Sequence, residues 1–301
     1  MQTRTYAAID IGSNSVRLMV ARAEGDNLNI LTTERFTTRL LNGLKDGFLT
    51  GDPAEQTAQA VAAHAETARS MGAHVIEAFG TSALRDAKNG SGFCEYASSL
   101  SGVNVMIISG VEEAQLAYAG AAPRGSCGVI DIGGGSTELI IGSDGKMLRA
   151  HSAQMGAVRL CNMLSGRLNP EEMVARAKEA LHETVRTVCT SSPDKWVGVG
   201  GTITSLAAMT KKVSKYTPGA IEDFPITEDI TSDWLRRLCG MPVEERRELI
   251  GLTPNRADII PFGAAILLAV IQETGADPVH ACDRDNLEGY IRSRLMTGSD
   301  T

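Results

Sequence analysis

Two short segments of this chain carry the same turn, and they sit 121 positions apart. Asp10-Ile11-Gly12-Ser13-Asn14-Ser15 and Asp131-Ile132-Gly133-Gly134-Gly135-Ser136 each end a strand-like run on an aspartate, pass through small residues and enter a second run. The repetition extends outward. Thr5 to Gly12, Ser15 to Arg22 and Leu28 to Arg35 predict a three-strand meander, and Cys127 to Gly133, Ser136 to Gly142 and Lys146 to Gln154 predict another of closely similar lengths. Such duplication restricts the chain to folds assembled from two similar halves.

The segments after each meander also repeat. Helices opened by a proline are predicted over Pro53 to Met71 and Pro170 to Cys189. A strand then leads into a helix, His74 to Phe79 into Thr81 to Lys88 and Lys195 to Val199 into Gly201 to Thr210. The strand Val103 to Ser109 precedes a helix from Val111 to Tyr118, as Pro278 to Cys282 precedes one from Asn286 to Met296. Each half reads βββ-α-β-α-β-α, with extra helical material in the second between about Thr227 and Glu273. The junction at Ala121 to Ser126, with Pro123 and Gly125, is the expected hinge. The expected domains are 1–122 and 123–301, and the last helix, about 286–296, has the option of packing back on the first. This α/β order places two strand-end turns across a cleft, and open α/β sheets bind ligands at the carboxyl ends of their strands.

Composition narrows the partners. A net charge of −7 and a pI near 5.4 argue against a general DNA or RNA binder, which needs a broad basic surface. The six cysteines lie at least 28 residues apart, so there is no CxxC pair or dense disulfide framework, and they read as reduced core thiols. Met1 to Asp10 has no apolar signal core, and the longest apolar run, Ile259 to Ile271, is shorter than the roughly 20 residues a membrane span needs. A cytoplasmic chain without membrane association is expected.

Either glycine turn alone is an ordinary hairpin turn on turn statistics. Their repetition, with Asp in register, favours anion-binding nests in which successive N–H groups point at one spot and serine hydroxyls add hydrogen bonds. A third turn, Gly198-Val199-Gly200-Gly201-Thr202, lies between a strand and a helix, where amides and the helix dipole favour phosphate. It is neither a dinucleotide fingerprint nor a Walker sequence. Alone it is equally well a tight strand-to-helix connection.

Asp131 and Glu138 flank the triple glycine, so a hairpin sets them on adjacent strands, able to share a cation directly or through water. Mg²⁺ suits one or two carboxylates completed by waters and substrate phosphates. The competing reading makes Asp131 a turn cap and Glu138 a solvent-facing strand residue. The five histidines show no HxxxH spacing and no zinc site is expected. Glu112 and Glu113 fall in the first turn of a predicted helix, where acids complement the dipole. At a strand end, a glutamate there also orients water for in-line attack on phosphorus. No GxSxG elbow occurs, so direct attack by water is preferred to a covalent route. Arg17, Arg85, Arg159 and Arg256 lie in or after turn segments suited to phosphate oxygens. Lys211, Lys212 and Lys215 read as solvated surface, or as the outer wall of an anionic groove.

In order along nearly the whole chain, Asp10 to Arg17, Thr81 to Ala87, Ser109 to Ala114, Asp131 to Glu138, Gly156 to Leu160, Gly200 to Thr202 and Arg256 to Pro261 resemble the motifs of the exopolyphosphatase and guanosine pentaphosphate phosphatase (Ppx/GppA) family. The resemblance implies a duplicated actin-like, sugar kinase and Hsp70-type (ribonuclease H-like) two-lobed α/β fold with its active site in the cleft. It implies Glu113 as the catalytic base and Asp131 and Glu138 as the Mg²⁺ carboxylates. It further implies phosphate binding by Gly12, Ser13, Asn14 and Ser15, by Gly133, Gly134, Gly135 and Ser136, and by Gly200 and Gly201, with Arg17, Arg85 and Arg256. The implied reaction releases orthophosphate from polyphosphate, with pppGpp to ppGpp as a second or main activity, and a homodimer is implied as well. Long members continue into a helical region with an HD-type domain, which this sequence does not show, leaving a shorter groove for long chains. A sugar or acetate-type kinase and a non-catalytic alarmone sensor are the competing readings; the paired glutamates and the intact carboxylates count against them.

Overall fold

The computed structural model describes residues 4–25, 27–121 and 125–295. It divides into two compact units, Met1–Gly120 with Asn286–Thr301, and Ala121–Asp285. Of the hinge expected at Ala121 to Ser126, residues 122–124 lie outside the described residues, as does Met296 of the expected last helix.

In the first unit, β1 (Arg4–Ile11), β2 (Ser15–Glu24) and β3 (Asn27–Thr37) form the meander. β1 is apolar and buried along nearly its whole length, as suits an interior strand, paired antiparallel with β2 on one side and parallel with Val75–Gly80 on the other. β3 is the edge, and Asn29, Thr33 and Arg35 on it are exposed. A 3₁₀ turn, Leu40–Gly43, and a minimal hairpin, β4 (Leu44–Lys45) and β5 (Phe48–Leu49), lead into α1 (Gly51–Ser70). β6 (Val75–Gly80) is followed by α2 (Ser82–Asp86), α3 (Gly90–Ser101), β7 (Asn104–Ile107) and α4 (Gly110–Ala121). The sheet order is β3-β2-β1-β6-β7. The sequence reading assigns one helix over Thr81 to Lys88; the chain instead ends that helix at Asp86 and forms a second, α3, burying Phe93, Cys94 and Ala97.

The second unit repeats the plan with β8 (Ser126–Ile132), β9 (Thr137–Ser143), β10 (Lys146–Ala153), α5 (Ala157–Met163), α6 (Pro170–Val188), β11 (Lys195–Val199) and α7 (Gly200–Thr210). α6 starts as its sequence dictates: Pro170 takes the first turn, Asn169 Oδ1 accepts the Glu172 N–H at 2.9 Å, and two glutamates face the dipole. Then come β12 (Pro225–Ile226), α8 (Glu228–Cys239), α9 (Val243–Arg247), α10 (Ile260–Thr274) and β13 (Val279–Ala281). The order is β10-β9-β8-β11-β13-β12, so β12 adds an antiparallel edge absent from the first unit. The long apolar run of the sequence is α10, buried from Ile260 through Ile271 at the centre of this unit's core. Among the described residues no helix is long and apolar enough to cross a membrane.

The chain then supplies α11 (Asn286–Tyr290) to the first unit. A π-type turn, Ile291–Leu295, replaces the continuous helix expected to Met296. Leu287, Tyr290 and Ile291 join Tyr6, Phe79 and Leu116 in one apolar cluster. The Tyr290 ring stacks on Phe79 at 4.5 Å, and its hydroxyl donates to Glu77 at 2.9 Å.

Candidate active site

Both glycine-rich turns are hairpins closed by the same bond. Gly12 N–H donates to Ser15 O at 3.0 Å, and Gly133 N–H donates to Ser136 O at 3.0 Å. Antiparallel register then sets Asp10 opposite Arg17 and Asp131 opposite Glu138. The segment after each meander takes up the turn's carbonyls. In the first unit Leu41 N–H donates to Ser13 O, and Thr38 and Arg39 N–H donate to Asn14 O, at 2.9–3.1 Å. In the second, the first N–H groups of α5 do this: Ala157 donates to Gly133 O, and Val158 and Arg159 donate to Gly134 O. With their carbonyls tied back, the turns are held in one peptide orientation.

In the first unit the buried Asp10 carboxylate pairs with Arg17, whose Nε donates to Oδ2 at 3.1 Å and whose Nη2 lies closer still. Arg17, expected on substrate phosphate, thus stands against its own aspartate. Ser13 Oγ and Asn14 Oδ1 are buried with no hydrogen-bond partner among the described residues. Leaving such atoms unsatisfied costs about 1–3 kcal/mol each, an expense typical of groups kept for a ligand.

The two acids of α4 have different surroundings. Ser109 and Glu112 form a capping box: Ser109 N–H donates to Glu112 Oε2 at 2.9 Å and Glu112 N–H to Ser109 Oγ at 3.2 Å. Glu113 instead turns inward, 6% exposed, and accepts from Arg85 Nη1 at 2.6 Å. The helix-dipole explanation accounts for Glu112 and leaves Glu113 for another purpose.

In the second unit Asp131 and Glu138 are 6% and 1% exposed, which removes the solvent-facing reading of Glu138. Glu138 Oε1 accepts from Ser152 Oγ at 2.7 Å. Opposite them lies the third glycine turn. Gly200 has φ +82°, and a Cβ there would run into Asp131 Oδ1, so both backbone conformation and close approach demand glycine. The N-terminus of α7 therefore opens beside the Asp131 carboxylate. Arg256 reaches the same place: a side chain on Gly201 would collide with its guanidinium. Asp131, Glu138, Gly200, Gly201 and Arg256, scattered in sequence, thus form one group. Gly156, outside the expected set, and Arg159, expected at phosphate oxygens, complete it. Gly156 packs on Gly134 and Gly135 too closely for any side chain, and Arg159 Nε donates to Gly135 O at 2.8 Å. Both lie in the Gly156 to Leu160 segment, whose place in the motif order was the available signal.

The lysines behave differently. α7 puts Lys211 and Lys212 at its far end, about 16 Å along the helix axis from Gly200, and Lys211 covers the Phe224 ring at 5.8 Å. Among the described residues no group of three or more His, Cys, Asp or Glu is placed to hold a metal. The Asp131–Glu138 pair still fits a hard divalent cation. Two buried anions side by side repel unless a cation or proton intervenes, and Mg²⁺ commonly takes only two protein carboxylates.

Known proteins match the chain along nearly its whole length. The sequence profile of the Ppx/GppA phosphatase family matches residues 19–297. "Exopolyphosphatase 2" of Mycobacterium tuberculosis is 32% identical, with 97% of this chain and 99% of that protein covered. "Guanosine-5'-triphosphate,3'-diphosphate pyrophosphatase" of Aeromonas salmonicida is 30% identical over 98% of this chain, which spans 60% of that relative's length. Among solved structures, a Ppx/GppA family member from Aquifex aeolicus superposes with a TM-score of 0.83 at 30% identity, covering 100% of both chains. An exopolyphosphatase from Cytophaga hutchinsonii, 21% identical over 98% of both chains, shares the fold with a TM-score of 0.86. Two units that open on the same three-strand meander, two matched aspartate turns and a match over nearly the whole sequence converge: the chain belongs to the Ppx/GppA phosphatase family and is a phosphoanhydride hydrolase.

Proposed function

We propose that the protein releases terminal orthophosphate from inorganic polyphosphate, and that it converts pppGpp to ppGpp by the same chemistry. The observation that carries this reading is the pair of buried carboxylates, Asp131 and Glu138, facing each other across a glycine turn. They would hold Mg²⁺, which when bound neutralises charge on the transferred phosphoryl oxygens. Glu113, already separated from the capping role of Glu112, serves as the base. It accepts a proton from water as the new O–P bond forms and the bridging P–O bond breaks, leaving orthophosphate and a polyanion one phosphate shorter. Amides of Ser13 to Ser15, Gly134 to Ser136, Gly200 and Gly201, with Arg256 and the Ser13 hydroxyl, supply donors for the phosphates, while the Gly12 and Gly133 amides close the hairpins. Six cysteines, all thiols, suit a reducing compartment, and a cytoplasmic location and a homodimer belong to this proposal.

The test is phosphate release with Mg²⁺ from long polyphosphate, short polyphosphate, pppGpp and ATP, with Glu113→Gln beside the wild type. The wild type is expected to act on polyphosphate and pppGpp, and Glu113→Gln to lose about 10²–10⁴-fold in kcat. Full activity in Glu113→Gln removes the base assignment. Tight pppGpp binding without any release supports a sensor, and phosphorylation of an added acceptor by ATP supports a kinase.

A further inference from the structure

We propose that Arg85 is a positioning residue that fixes the carboxylate of Glu113, and not a ligand of the substrate's phosphates. The proposal rests on the reading of Glu113 as the base.

One atom carries it. Arg85 Nη1 donates both to Glu113 Oε2 at 2.6 Å and to Ile108 O at 3.2 Å. Ile108 closes the end of β7, and its own N–H donates to Gly80 O at the end of β6. Arg85 itself sits on α2, whose first turn is tied to the same strand end by Arg85 N–H donating to Thr81 O. The guanidinium thus links three consecutive pieces of the first unit, the end of β6 through α2, the end of β7, and the first turn of α4. The α4 backbone is independently held, by the Ser109–Glu112 box and by Glu113 N–H donating to Ser109 O at 2.9 Å. With the helix start fixed, what remains for Glu113 is its side-chain torsions, and the short charge-assisted bond from Arg85 settles them.

The pair is also shielded, with side-chain exposures of 20% for Arg85 and 9% for Glu113. Drawing the guanidinium away to bind a phosphate would break a shielded ion pair, which is costly. A loose phosphoryl-transfer transition state asks little basicity of the base and much of its placement, so a glutamate held by an arginine suits the reaction. Misplacement by about 1 Å costs on the order of 100-fold in rate.

The experiment measures Mg²⁺-dependent phosphate release from polyphosphate and pppGpp by wild type, Arg85→Ala and Arg85→Lys over a range of NaCl, with thermal unfolding of each. Arg85→Ala is expected to lower kcat about 10–100-fold with KM within about twofold, and to leave the salt dependence of KM unchanged. Arg85→Lys is expected to recover part of kcat, as is guanidinium ion added to Arg85→Ala. A raised KM with kcat intact, or a weaker salt dependence of KM, makes Arg85 a phosphate ligand and overturns the inference while leaving the hydrolase reading in place. If Arg85→Ala does not fold, the same split in Arg85→Lys decides: full kcat with raised KM overturns the inference, reduced kcat with unchanged KM supports it. A wild type that releases phosphate from neither substrate defeats the proposed function and this inference with it.

Discussion

The two aspartate hairpins share length, closing bond and register, and differ in what stands opposite the aspartate. Asp10 faces Arg17, so the charges cancel within the hairpin; Asp131 faces Glu138, so they add. The difference reaches the turns, Ser13 and Asn14 in one and three successive glycines in the other. The first hairpin carries a counter-charge on its own second strand; the second sets two carboxylates in register, with Gly200 against Asp131 and the Arg256 guanidinium beside Gly201, and in the proposed function that is where a divalent cation would sit.

Glu138→Gln strikes this contrast hardest. It should lower kcat on the order of a thousandfold, several kcal/mol of transition-state stabilisation. In wild type, Mg²⁺ at 100 times its Kd should raise unfolding free energy by about 2.7 kcal/mol, and Glu138→Gln should lose that increment. Calorimetry with and without Mg²⁺ checks it, and an unchanged Mg²⁺ response in the variant would erase the distinction between the hairpins. Arg17→Ala is the mirror experiment. Taking its ion-pair arginine from buried Asp10 should cost about 3 kcal/mol in denaturant unfolding, with no dependence on Mg²⁺. A cost below about 0.5 kcal/mol, the level of an ordinary surface substitution, would show that Asp10 does not depend on its neighbour.

Gly200→Ala tests whether the second hairpin needs its third partner. The positive φ and the collision with Asp131 should together cost about 1–3 kcal/mol and weaken Mg²⁺ binding measured by titration calorimetry. The smallest effect belongs to His64, on α1 behind the first hairpin. Burial pushes its pKa down, against the opposing pull of the Val16 carbonyl and Glu34. A depressed folded pKa means the unfolded chain takes up the proton first, so stability is complete above the ordinary value of 6.5 and declines as pH falls below it. Unfolding free energy followed from pH 8 to 5 should show that decline in wild type and less of it in His64→Gln.

Much of the fold was legible because each meander is a set of strand-like runs broken by short Gly, Ser and Asn turns, and those turns repeat. α3 was not, since it opens on Gly90-Ser91-Gly92, residues that read as a loop, and forms because Phe93, Cys94 and Ala97 find a core to enter. In the site, the seven-residue spacing that paired Asp131 with Glu138 applies equally to Asp10 and Arg17, so that ion pair was readable from register. Arg85 with Glu113, and Arg256 with Gly201, were not: each joins positions from separate elements that only tertiary packing brings together. The capping box at Ser109 and Glu112 was present in sequence as S-x-x-E, and it is what tells the two neighbouring glutamates apart.

Tyr290 stacked on Phe79 has a consequence for biosynthesis. The first unit receives part of its apolar interior from residues 286–291, which leave the ribosome only after the entire second unit has been made. Until then Phe79, Tyr6 and Met19 lack their cover, and the nascent amino-terminal segment must wait, partly open, through the synthesis of some 165 residues between Gly120 and Asn286. A ribosome-bound chain halted before Asn286 should therefore be cleaved by protease in its first unit far faster than one extended past Ile291.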